Sequence, residues 1–153
     1  MVKNSFVHHL TKILIDIMFY GGILICLSLP FVMGSAMRTF GYAYDARELR
    51  LLFTGILGSS GLCAVYILCQ LKRIFKTLLG GDPFVGGNVS ALRKCGAASF
   101  LISIIFIIRL GFSFTLASSI VVVIFALLGL FSFTLKDVFK QAVAYKEEND
   151  WTV

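Results

Sequence analysis

Charge is what this sequence has least of. Asp, Glu, Lys and Arg make up 14% of its 153 residues, against roughly 25% in an ordinary soluble domain. Leu51 to Leu71 holds no charged residue, and Cys95 to Leu135 holds only Arg109. With 58% hydrophobic residues, one core could not hide the apolar surface. That excludes an ordinary water-soluble fold and makes lipid part of the solvent. Proline is nearly absent, with two residues, so long helices meet few breaks. The four cysteines (Cys26, Cys63, Cys69 and Cys95) form no C-x-x-C pair and lie within or beside apolar runs. They read as small apolar side chains in helices. Cys95 is distinguished by Arg93 and Lys94 beside it, which favour a thiolate, but a structural role is the simpler reading. His8 and His9 have no third ligand nearby and read as an interfacial pair. There is no nucleophile elbow, phosphate-binding glycine loop, H-E-x-x-H or paired carboxylates. The expectation is a protein without enzymatic activity, cofactor or metal. The net charge of +6 accompanies no nucleic-acid-binding module, so direct nucleic-acid binding is not expected.

What is present is a set of long apolar runs. Ile13 to Ala36 is long enough to cross about 30 Å of hydrocarbon, with Pro30 predicted to kink its far part. Gly34-Ser35-Ala36 resembles a signal-peptide cleavage site, but the run is long for a signal peptide and Asp16 interrupts its start. It is read as a retained helix. Residues 51–71 form a second span rich in small residues (Gly55, Gly58, Ser59, Ser60, Gly61 and Ala64), which let helix backbones approach in lipid. That face serves either packing within the chain or a homo-oligomer. The run after Cys95 is too long for one span and suits two of about 20 residues, predicted at 95–113 and 117–135. Ser113, Thr115, Ser118 and Ser119 mark the turn between them. The fold class is therefore all-α: one polytopic membrane domain of four transmembrane helices, a four-helix bundle.

Orientation follows from the positive charges of the short loops. With the N-terminus inside, the inner segments hold Lys3, Lys12, Lys72, Arg73, Lys76, Arg93, Lys94, Lys136, Lys140 and Lys146. The outer side holds Arg38, Arg47, Arg50 and, near its turn, Arg109. Both termini are expected in the cytoplasm.

Two inner segments are candidates for function. In the loop 72–94, Ile74, Phe75, Leu78 and Leu79 share a face that Lys72, Arg73 and Lys76 avoid. This predicts a short basic amphipathic helix continuing out of the membrane along the headgroups, ended by Gly80 and Gly81. Asp82 and Pro83 suit the start of a new turn and Asn88 the cap of the third span. Asn88-Val89-Ser90 matches a glycosylation sequon but falls on the cytoplasmic side. In the tail 136–153, Val138, Phe139, Ala142 and Val143 extend the fourth helix, while Lys136 and Lys140 snorkel. Lys146 and the carboxylates after it are suited to pair with the loop's basic residues. Trp151 is suited to anchor at the interface or pack on the loop. Each segment is either a membrane-surface connector or a docking surface for a cytoplasmic partner.

Two charges inside the membrane call for an explanation. Asp16 lies one turn from Lys12, where an i,i+4 pair neutralises it. Arg109 lies near the outer end, where it can snorkel or meet Asp45 or Glu48. Neither is a midplane acid suited to a proton or ion path.

Gly81-Asp82-Pro83-Phe84, Asn88, Leu92-Arg93-Lys94 and Gly96 resemble the G-[DN]-P-F-x(3)-N-x(3)-L-R-x-I-G pattern of a small bacterial membrane-protein family, domain of unknown function 2975. Asp137-Val138-Phe139-Lys140 and the ending Lys146-Glu147-Glu148-Asn149-Asp150-Trp151-Thr152-Val153 are similar to that family's C-terminal finish. Gly87, Cys95 and Trp151 depart from the usual residues. The resemblance implies a multi-pass protein of the bacterial cytoplasmic membrane with no established activity. Its members are often encoded beside a very small Cro-like helix-turn-helix protein, which suggests binding or sequestering that regulator. The alternative is a small transporter, channel subunit or immunity-type protein acting as an oligomer, with Asp16 and Arg109 lining a path.

Overall fold

The computed structural model describes the backbone of residues 5–39, 47–112 and 114–151, and side chains within 9–35, 51–112 and 114–149. Four helices account for nearly all of it: α1 (Ser5–Thr39), α2 (Arg47–Leu79), α3 (Gly86–Phe112) and α4 (Leu116–Trp151). Each contains a stretch long and apolar enough to cross a membrane. Their surfaces agree. Leu24, Leu27 and Phe31 on α1 stand exposed, Phe31 by 83%, as do Ile107 on α3 and Leu127 and Phe131 on α4. In water such a continuous apolar surface would aggregate; in a bilayer it is the solvated face. The chain is a multi-pass membrane protein.

The helices run past their apolar stretches at one end. α2 continues unbroken to Leu79, so the amphipathic segment forms its last turns and not a separate element. α4 likewise continues through the charged tail to Trp151. α1 runs through Pro30 without interruption. The end of the molecule that holds the α2–α3 loop carries Lys72, Arg73, Lys76, Arg93, Lys94 and Lys146, and is called the basic end below.

Among the described residues, close backbone approaches join only consecutive helices: α1 with α2, α2 with α3, and α3 with α4. α3 is therefore the hub. Cys95, Ala98, Ile102 and Phe106 of α3 join Ile67 of α2 in the buried core, flanked by Cys63 and Ala64 of α2 and Val121, Val122 and Phe125 of α4. The Cys95 thiol is directed at the Ile67 carbonyl at 3.9 Å, a packing role and not that of a thiol activated by Arg93 and Lys94.

The α3–α4 seam is the tightest. A Cβ added at Gly96 would lie 3.0 Å from the Phe133 ring, and one added at Gly129 would lie 2.9 Å from the Phe100 ring. Each helix thus offers a glycine notch to the other's phenylalanine, and the two rings stack with centroids 5.9 Å apart. Small residues admit close approach where apolar burial gives no net driving force between helices in lipid. Ser103 adds a hydrogen bond from its hydroxyl to the Val122 carbonyl at 3.1 Å. Ser99 and Ser132 donate back to the carbonyls of Cys95 and Leu128, which satisfies buried hydroxyls without a partner helix.

Of the small residues on α2, Gly61 meets α1, where an added Cβ would lie 2.7 Å from the Cys26 sulfur. Gly55 and Gly58 meet nothing within 4 Å.

Candidate functional site: the basic end

The site begins with how α2 stops. The Gly81 N–H donates to the Leu78 carbonyl at 3.2 Å and the Asp82 N–H to the Thr77 carbonyl at 3.3 Å. Gly81 has φ +87°. This is a Schellman ending, in which a left-handed residue turns the last N–H groups back onto the helix carbonyls. Only glycine adopts that φ without strain. The chain leaves the turn as an irregular segment, Asp82 to Val85, and re-enters helix at Gly86.

Asn88 holds this turn in place. Its Nδ2 donates to the Pro83 carbonyl and to the Thr77 hydroxyl, each at 2.7 Å. The Thr77 hydroxyl has one proton, shared between the Ile74 carbonyl at 2.8 Å and Asn88 Oδ1 at 3.0 Å. Asn88 is 2% exposed, so these bonds replace water. The expectation that Asn88 caps α3 is therefore corrected. α3 starts two residues earlier, and the side chain turns back to bind the end of α2 and the loop. Asp82 and Pro83 do not open a helical turn either. Asp82 faces α4, and Pro83 supplies the carbonyl that Asn88 needs.

The loop then meets the tail. Lys146 Nζ lies 2.8 Å from both carboxylate oxygens of Asp82, and Phe84 packs on Phe139 with ring centroids 5.6 Å apart. Residues 82 and 84, from one motif, are thus joined to 146 and 139, from the other. The expectation that Lys146 pairs with the loop's basic residues is corrected: like charges repel, and its partner is the loop's acid. The pair is 42% and 53% exposed on its two sides; such pairs contribute only ~0–1 kcal/mol. The aromatic contact adds apolar area beside it. Glu147, Glu148 and Asn149 are exposed on the final turns of α4. The side chains of Asp150 and Trp151 lie outside the described residues. Arg93 and Lys94 are exposed on α3, but Lys94 borders the α2–α3 cleft and not the Asp82–Lys146 contact.

The intramembrane charges are engaged differently from the sequence expectation. Asp16 pairs with Lys72 of α2 at 2.6 Å, not with Lys12. Lys72 also lies 5.3 Å from the ring centroids of Phe19 and Tyr20. An interhelical pair joins α1 to α2, which an i,i+4 pair could not do. Lys12 and Lys76, together with the pair itself, border a groove of about 450 Å³. Arg109, near the opposite end, turns inward. Its Nη1 donates to the hydroxyl of Ser118 on α4, and its Cζ lies 5.1 Å from the Phe53 ring centroid on α2 and 5.9 Å from that of Phe106. Asp45 and Glu48, the expected alternatives, lie outside the described side chains.

Sequence reasoning missed Thr77 and Gln70, and it named Lys72 only as a basic residue and Ser118 only as a marker of the turn, not as partners of Asp16 and Arg109. Gln70 is the only polar side chain with an amide in the charge-free run of α2, and it shares a helical stripe with Tyr66, Arg73 and Thr77 at spacings of three and four. That stripe was the available signal.

No curated protein and no solved structure matches the chain. A family model does, from the last turns of α1 to the final residue. Across residues 34–153, including the loop and tail segments that meet at the basic end, the chain belongs to the family described as Protein of unknown function (DUF2975).

Proposed function

We propose that this chain is a non-enzymatic protein of the bacterial cytoplasmic membrane whose basic end faces the cytoplasm and docks a cytoplasmic partner. The observation that carries the reading is the meeting of the two motif segments. Asp82 and Phe84 of the loop contact Lys146 and Phe139 of the tail, so stretches distant in sequence form one surface. An exposed pair of this kind contributes little to the stability of the bundle. Fixing the shape of a surface is a better use for it. The excess of Lys and Arg at this end supports the cytoplasmic orientation.

Following the resemblance, the proposed partner is a small helix-turn-helix transcription regulator, held at the membrane and thereby kept from DNA. The test is co-expression of the full chain with the small regulator, followed by membrane fractionation and co-purification. The expected result is regulator in the membrane fraction, released by the charge reversal Lys146→Glu. A regulator that stays soluble and forms no complex overturns the reading. A reporter fused after Val153 tests orientation: activity restricted to the periplasm overturns it.

The oligomeric transporter or channel alternative draws less support. Asp16 and Arg109 sit toward opposite ends, and each is engaged by a neighbouring helix. Gly55 and Gly58 leave open space on α2 that a second copy could use. Cross-linking through cysteines introduced at those two positions tests that use.

A further inference from the structure

The cleft between α2 and α3 at the basic end has two chemically distinct halves that meet at Lys94. The half nearer the loop is a polar pocket of about 280 Å³, bordered by Gln70, Arg73, Ser90 and Lys94 with Gly87 at the start of α3. The other half is an open groove of about 420 Å³, running toward the middle of the bilayer and lined by Leu62, Tyr66, Ala97 and Leu101. The stripe on α3 from Lys94 to Leu101 is about 10 Å long at 1.5 Å per residue. One end of the cleft is polar and cationic; the other is apolar and open to lipid.

Two features of the polar half favour an anion, and a third favours a donor beside it. Two cations border it and no carboxylate does. Gly87 lies in the first turn of α3, where backbone N–H groups have no partner within the helix. A Cβ there would meet nothing within 4 Å, so the approach is clear. Independently, Gln70 is 4% exposed, yet its Oε1 is buried without a hydrogen-bond partner. A buried amide oxygen left unpaired is destabilising, and its residue borders this pocket.

We propose that this cleft binds one anionic phospholipid, its phosphate between Arg73 and Lys94, its headgroup hydroxyl donating to Gln70, and an acyl chain along the Tyr66–Leu101 groove. The shared chemistry is a phosphate, and the apolar groove continuous with the pocket favours one carried on a lipid. An acceptor beside the phosphate subsite selects a headgroup that carries a donor, as a glycerol headgroup does and a choline headgroup does not. Basic pockets between helices at the cytoplasmic edge suit such headgroups. The site is separate from the Asp82–Lys146 contact, so it stands or falls apart from the docking reading.

The test is native mass spectrometry of the full chain, with phosphatidylglycerol, phosphatidylcholine and inorganic phosphate as probes. Removing two charge-assisted contacts in Arg73→Ala/Lys94→Ala is expected to weaken phosphatidylglycerol retention roughly ten-fold or more. The same changes at Lys12 and Lys76 in the neighbouring groove should leave it unchanged. Gln70→Met is expected to reduce the preference for phosphatidylglycerol over phosphatidylcholine to the part set by net charge at Arg73 and Lys94. Ala97→Trp, which fills the exposed groove, is expected to weaken the lipid without affecting inorganic phosphate. Gln70→Met and Ala97→Trp decide the matter if the double variant does not fold. Retention that is unchanged in Arg73→Ala/Lys94→Ala, or lost equally in the Lys12/Lys76 control, overturns the proposal. Displacement of the lipid by inorganic phosphate, with Ala97→Trp unaffected, overturns the lipid in favour of a free phosphate.

Discussion

α1 and α3 are both long apolar helices, and hydropathy alone makes them alike, yet they play opposite parts. In α1 only 6% of the most apolar stretch is buried; in α3 the share is 33%. The difference lies in the side chains at the contact. α1 presents Leu24, Leu27 and Phe31 to its surroundings. α3 turns Ala91, Cys95, Gly96, Ala98, Ser99 and Ser103 inward. In a bilayer a leucine gains nothing by leaving lipid for protein, whereas a small residue lets a second backbone come close enough for dense packing and interhelical hydrogen bonds. The lesson is that the close helix approaches in this chain are made at small residues, with a few large ones such as Ile102 and Phe106 filling the core between them. The family match, which begins at residue 34, leaves most of α1 outside it.

The comparison can be broken most directly with glycines. Gly96→Leu should force Phe133 from its notch and destabilise the α3–α4 seam by about 3 kcal/mol, at the upper end for overpacking. Gly21→Leu on α1, where an added Cβ meets nothing, should leave stability unchanged. Unfolding midpoints in mixed micelles would measure both; equal effects would dissolve the contrast between the helices. The next largest change is expected from Asn88→Ala, which strips the Pro83 carbonyl and the Thr77 hydroxyl of their donor. A loss of about 1–3 kcal/mol follows for buried polar groups left unpaired. It should appear as faster amide exchange and proteolysis between Leu79 and Gly86, with the α3–α4 seam undisturbed.

Smaller still is the tie between loop and tail. Asp82→Lys or Lys146→Asp alone should lower stability by no more than ~1 kcal/mol, and the double exchange should restore most of it. A double-mutant cycle isolates that coupling; a coupling of zero would mean that the Phe84–Phe139 contact alone holds the tail. The smallest effect belongs to α1. Leu24→Ala and Leu27→Ala should each fall within about 0.5 kcal/mol of the parent, as surface substitutions do.

The four helices were legible in the sequence, because apolar runs of spanning length have few alternatives to helix in lipid. The end of α2 was legible too, since two successive glycines invite the left-handed turn that Gly81 makes. Pairings were not. Asp16 suggested Lys12 because a sequence displays neighbours one turn apart and conceals those on another helix; Lys72 becomes its partner only when α1 docks on α2. Asn88 looked like a cap because asparagine before an apolar run commonly is one. Its actual bonds depend on where Thr77 stands after the Gly81 turn. The candidate surface was legible as two separate segments, while their meeting through Asp82 and Lys146 required the fold.

The order in which the helices touch has a bearing on how the chain is made. Because the close approaches join consecutive helices, each span can dock on its predecessor as it emerges from the ribosome, without waiting for a distant segment. Short-range contacts of this kind form early and quickly. The link between Asp82 and Lys146, 64 residues apart, is different in timing. It closes only when α4 has been synthesised almost to its end, so the surface bearing both motifs forms after the contacts between consecutive helices, and a chain halted before Lys146 would reach the membrane without it.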